Sequence, residues 1–119
     1  MLTDEQITRL LDIANAGCHR GMVAEARGIY DAVLTIREGF VPARIGMAVS
    51  HMVVNEFDEA EGLLRAVLDD RPGDADAAVY LGMTLYLAGR RDEAADVFRP
   101  LAESEGSAAA LAKRMLEQL

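Results

Sequence analysis

The sequence predicts an all-α fold built from a repeated helical hairpin, and three observations predict it. The first is a fixed period: Glu25-Ala26, Glu59-Ala60 and Glu93-Ala94 stand 34 residues apart, and a period in the 20–50 range is the signature of a repeat architecture. The second is a set of size-matched columns in the same register. Large residues follow each alanine by four and seven positions (Tyr30 and Val33, Leu64 and Val67, Phe98 and Leu101), and a small residue precedes it by twelve (Ala14, Ala48, Gly82). The third is a turn former five before each alanine, at Gly21, Asn55 and Gly89. These residue types tolerate the positive φ that a tight turn after a helix requires. No β-hairpin signal competes.

Taken in order, the pattern predicts helices over 3–20, 23–37, 42–54, 57–70, 75–88, 91–103 and 107–118. Thr3 with Gln6 forms a capping box for the first, each satisfying a backbone N–H of the other. Pro42 suits the first turn of the third helix, where its missing N–H costs nothing. Arg71-Pro72-Gly73-Asp74 is a turn ending in an N-cap aspartate. Asp58-Glu59 and Asp92-Glu93 place negative charge at helix N-termini, favoured by the macrodipole. Pro100 removes the bond to the Asp96 carbonyl and is expected to kink or end the sixth helix. The small pairs Ala14/Ala26, Ala48/Ala60 and Gly82/Ala94 mark where two helices cross closely. The large columns share one face of each second helix and fill the space between hairpins. Leu111, Met115 and Leu116 share a face of the last helix, which is expected to cap the third hairpin.

A 34-residue helix–turn–helix unit with these columns resembles the tetratricopeptide repeat. The resemblance covers nearly the whole chain as one domain, 1–119, with units at 7–40, 41–74 and 75–108. Pro72 falls at that family's closing proline, whereas Glu38 takes that place in the first unit. The aromatic usual early in the first helix is replaced by Leu10, Arg44 and Ala78. The resemblance implies a three-repeat right-handed solenoid with a C-terminal capping helix.

Composition narrows the function. The chain has 119 residues, 12 basic and 20 acidic, with a formal charge of −8 and one cysteine. That balance argues against a duplex nucleic-acid binder, which needs a basic face. A single cysteine excludes an internal disulfide framework and a multi-cysteine zinc site, and fits a reducing compartment. No apolar run approaches the roughly 18 residues that span a bilayer, and the acidic N-terminus is unlike a secretory signal. A cytoplasmic setting, with no nucleic-acid or membrane partner, is expected.

Tetratricopeptide arrays curve so that the first helix of each pair lines a concave groove. The resemblance maps a partner-binding surface onto Leu11, Asn15, Cys18 and His19, then Ile45, Val49, Met52 and Val53, then Val79, Met83, Tyr86 and Leu87. This surface is mostly apolar and carries two methionines. Apart from Asn15, it lacks the Lys, Arg and Asn set with which co-chaperone repeats hold a peptide carboxylate. It suits an amphipathic helix or an extended apolar segment, with acidic surroundings favouring some basic character in the partner. The competing reading of the same residues is simple core packing.

Catalytic and metal-binding patterns are absent. Cys18 and His19 are adjacent, about 100° apart on a helix, and do not form a nucleophile–base pair. Cys18 reads as a small buried apolar residue and His51 as a packing residue. No cofactor is expected, and no Gly-rich phosphate loop, His-Glu-x-x-His or Gly-x-Ser-x-Gly occurs. The expected function is therefore a non-enzymatic protein-binding module. In length, repeat count and groove character the chain resembles the small tetratricopeptide chaperones of bacterial type III secretion, which shield aggregation-prone subunits. The alternative is a self-associating scaffold, a homodimer included, with no secretion role.

Overall fold

The computed structural model describes residues 2–119. Helix follows helix without a strand among them: α1 (Asp4–His19), α2 (Val23–Ile36), α3 (Val41–Met52), α4 (Phe57–Asp70), α5 (Ala75–Leu87), α6 (Arg91–Ala102) and α7 (Ser107–Gln118). Every expected helix is present, with boundaries displaced by no more than about two residues, as fraying ends allow.

Local chemistry sets the boundaries. The Thr3/Gln6 capping box is formed in both directions, and the Asp74 carboxylate accepts from Ala77 N at 2.9 Å. Gly21, Asn55 and Gly89 have φ of 81°, 66° and 83°. The residue after each donates back across the turn: Met22 N to Gly17 O, Glu56 N to His51 O, and Arg90 N to Leu85 O, at 2.8, 2.9 and 2.9 Å. Three copies of one Schellman-type closure thus set the reversal within each hairpin. α6 ends at Ala102, two residues after Pro100. Its counterparts α2 and α4 run two positions further in register, to Ile36 and Asp70. Pro100 is thus carried inside α6 without ending it at once, and the helix stops within one turn of it.

α1–α2, α3–α4 and α5–α6 stack side by side into a helical repeat solenoid, 44 × 27 × 22 Å, and α7 packs across α6 and α5. The small columns lie at the crossings: Ala14, Ala26, Ala48, Ala60 and Ala94 are at most 1% exposed. Tyr30, Val33, Leu64, Val67 and Phe98 are fully buried, each apolar side chain contributing about 1.5–3 kcal/mol. The core falls into two clusters. One joins α1 and α2 to Ala43 at the start of α3, and the other runs from Ile45 through α4, α5 and α6 to Ala112 on α7. Met115 and Leu116 pack against the second cluster, so α7 covers the end of the array.

Candidate functional site

The first helices of the three hairpins, α1, α3 and α5, enclose a cleft of about 380 Å³. Its floor comes from α3, through Val41, Pro42, Ile45, Gly46 and Val49. α1 contributes Asn15 and His19, and α5 contributes Tyr80 with Asp74 and Asp76 from its N-terminal turn. The floor is apolar because α3 is buried on nearly every face. The walls are polar because α1 and the start of α5 meet solvent there.

Gly46 is what allows α2 and α3 to come together beneath the cleft. A Cβ at that position would run into Cε1 of Tyr30, well inside van der Waals contact, so the tyrosine ring lies on bare backbone. The Tyr30 hydroxyl then donates to Asn15 Oδ1 and lies 3.7 Å from Cys18 Sγ. Burial, reinforced by the hydrogen bond to Cys18, pushes the Tyr30 phenol above its ordinary range, which keeps it a neutral donor. A buried ring on α2 therefore orients an exposed amide on α1 at the mouth of the cleft.

The structure divides the residues mapped from sequence. Asn15, His19, Ile45 and Val49 line the cleft together. Leu11 and Cys18 belong to the first core cluster and Met52 to the second, while Val79 is buried at 6% exposure. Met83 and Tyr86 are half-buried against the second cluster, and Arg91 lies 5.5 Å over the Tyr86 ring. Val53 and Leu87 are exposed, at 37% and 52%, and share one repeat position with His19.

Asp74, Asp76, Tyr80, Val41 and Pro42 were not among the mapped residues. Helical spacing offered the signal for four of them: Val41 and Pro42 stand four and three residues before Ile45, Asp76 three before Val79 and Tyr80 three before Met83, hence on the same helix faces. Asp74 had been accounted for as a cap, and it serves both purposes. The cleft is thus less apolar than expected, with two carboxylates on its rim.

The remaining histidine lies elsewhere. His51 Nδ1 is 2.9 Å from Glu56 Oε1 and 3.1 Å from Arg27 Nη2, within a polar cluster between α2 and the end of α3. Arg27 and the His51 ring hold the Glu56 carboxyl below the usual glutamate range.

No group of three or more His, Cys, Asp or Glu side chains able to hold a metal ion occurs among the described residues. No helix among them is long and apolar enough to cross a membrane.

Comparison with known families shows that a model described as tetratricopeptide repeat fits residues 45–110, more than half of the chain. No curated protein matches the sequence. The matched span runs from within α3, through α4, α5 and α6, into the start of α7. The first hairpin lies outside it, yet repeats the turn closure and the buried alanine crossing of the other two.

Proposed function

The chain belongs to the tetratricopeptide repeat family, a family of protein-interaction modules, and from that premise we propose that it is a non-enzymatic chaperone. Its cleft takes an amphipathic segment of a client protein. The observation that carries this reading is the cleft's mixed lining, in which Pro42, Ile45 and Val49 form an apolar floor beneath the carboxylates of Asp74 and Asp76. Such a lining fits an apolar side chain next to a lysine or arginine. The apolar group leaves water, and the cation meets two carboxylates across a rim that still touches solvent. At about 380 Å³ the cleft accepts a few side chains, in the lower part of the usual pocket range. Exposed Val53 and Leu87 extend the apolar contact along the groove, with half-buried Met83 and Tyr86 on the same helix as Leu87, while Leu11, Cys18, Met52 and Val79 stay in the core.

The client would be a small subunit that self-associates when its apolar face is bare, as with the subunits guarded by the type III secretion chaperones that the chain resembles in length and repeat number. Shielding such a face before export is a cytoplasmic task. Co-purification from the native host tests this: one small secreted subunit is expected to accompany the protein. Asp76→Lys and Val53→Asp are both at exposed positions and leave helicity unchanged, and they are expected to release that subunit. A protein recovered alone, or a client retained by both variants, overturns the reading.

A further inference from the structure

The two ends of the solenoid are finished differently. At the C-terminal end α7 covers the third hairpin and turns Lys113, Arg114 and Glu117 to solvent. At the N-terminal end, no helix among the described residues packs over the outer side of α1 and α2. There α1 and α2 form a shallow apolar depression of about 310 Å³, lined by Ile13, Ala16, Gly17, Met22 and Ile29. Ile13 is 60% exposed and Met22 49%.

The repeat itself indicates what these positions do. Met47 and Leu81, the counterparts of Ile13, pack against the preceding hairpin's core. Ser50 and Thr84, the counterparts of Ala16, are at most 1% exposed. In both inner hairpins, then, the same face is a docking surface already in use.

A full preceding hairpin does not fit the first copy of this face. Where the second hairpin has buried Ala43 and Gly46, the first has Arg9 and Asp12. The usable apolar area is confined to the corner near the α1–α2 turn, and its rim carries one cation and one carboxylate, Arg20 and Glu25. Neither forms an ion pair among the described residues. On a chain of net charge −8 most surfaces repel their own copies, whereas here the rim charges cancel.

We infer that this corner binds the same corner of a second copy of the chain, giving a closed two-fold dimer. A two-fold contact sets each Arg20 against the other copy's Glu25 and buries Ile13 and Met22 on both sides. Ala16 and Gly17 let the two α1 backbones approach closely. The polar cap on α7 disfavours head-to-tail growth, so assembly stops at two. The groove on α1, α3 and α5 is a separate surface, and a dimer with free clefts carries two clients.

Sedimentation of the purified chain over a range of concentrations tests the inference. A monomer–dimer equilibrium with no larger species is expected. Ile13→Asp, at a position too exposed to unfold the hairpin, is expected to weaken dimerisation about a hundredfold, since two buried isoleucines are lost per dimer. Arg20→Glu is expected to weaken it and Arg20→Glu with Glu25→Arg to restore it, while Val53→Asp leaves it intact. A chain that stays monomeric at every concentration overturns the inference. So does a dimer that survives Ile13→Asp, or a mass that grows without limit.

Discussion

The two seams between successive hairpins use the same repeat positions with opposite chemistry. In the first, Arg27 on α2 meets Glu56 at the start of α4, at 2.7 Å. In the second, Glu61 stands where Arg27 stood and Arg90 where Glu56 stood, at 2.6 Å. The charges are exchanged and the bridge is kept. Bulk is exchanged as well: Tyr30 opposes Gly46 in the first seam, whereas the matching positions of the second are Leu64 and Tyr80.

What differs is the polarity beneath the bridge. Arg27 also donates from Nε to Ser50 Oγ at 3.0 Å and from Nη2 to the Ser50 carbonyl at 3.3 Å. In the second seam the Thr84 hydroxyl turns back to Tyr80 O at 2.8 Å, and fully buried Leu85 replaces His51. The first seam adds a directional polar cluster to the packing of Ala43, Met47 and the Tyr30 ring, whereas beneath its bridge the second has a continuous apolar core. The two core clusters part where the polar one lies. A repeat array thus conserves a position's role, not its residue.

This difference is testable by unbalancing it. The largest effect belongs to the apolar seam. Leu64→Ala, at a position with no exposure, is expected to cost about 2–5 kcal/mol in denaturant unfolding. Met47→Ala, in the polar seam and only half-buried, is expected to cost clearly less. Equal losses would mean that the two seams share one core.

Next comes the exchange of bulk. Gly46→Ala drives a methyl into the Tyr30 ring and is expected to cost about 1–3 kcal/mol. Combining it with Tyr30→Leu, which copies the residue at position 64, is expected to recover much of that loss. A double variant no better than the single would show that the clash is not the cause.

Exchanging the charges is a finer probe. Arg27→Glu and Glu56→Arg are each expected to lower Tm. The pair together recovers only part of it, because Ser50 and His51 still lose their Arg27 donor. Acid acts on both seams with one sign. Arg27 and His51 hold the Glu56 carboxyl low, as Arg90 and Arg65 hold that of Glu61. A carboxyl depressed in the folded state contributes stability that is present above its ordinary pKa and lost as pH falls through the folded value. Glu56→Gln and Glu61→Gln are both expected to flatten the acid limb of a Tm-against-pH curve.

The smallest effects are gains common to both hairpins. Gly28 and Gly62 occupy one repeat position within α2 and α4, and a Cβ on either meets nothing within 4 Å. Alanine at each is expected to add about 0.5–1 kcal/mol. A loss at position 28 alone would reveal a close neighbour peculiar to the first hairpin.

Much of the fold was legible because it is local. The capping box at Thr3, the Asp74 cap and the left-handed residues at 21, 55 and 89 act within six residues of chain. Their chemistry is written in the residues themselves. The site was legible only in part. Asn15, Ile45 and Val49 were found by register, but register alone cannot separate a helix face turned to a cleft from one turned to the core. Leu11 and Met52 lie on the first helices of their hairpins yet point into packing. Asp74 was read only as a helix cap and Asp76 was not singled out, and only the stacking of α5 beside α3 sets both on the rim of a cavity.

By itself the sequence determined the 34-residue period, the seven helices and the small and large columns that let hairpins stack. Helical hydrogen bonds and side-chain periodicity dictate these within each segment. The tertiary structure decided where the volumes and charges meet. Tyr30 reaches forward onto Gly46 of the next hairpin, whereas Phe98, at the same repeat position, lies back against Gly82 of its own. Ring placement depends on how much space a partner distant in sequence leaves open, and that space exists only once the hairpins have packed.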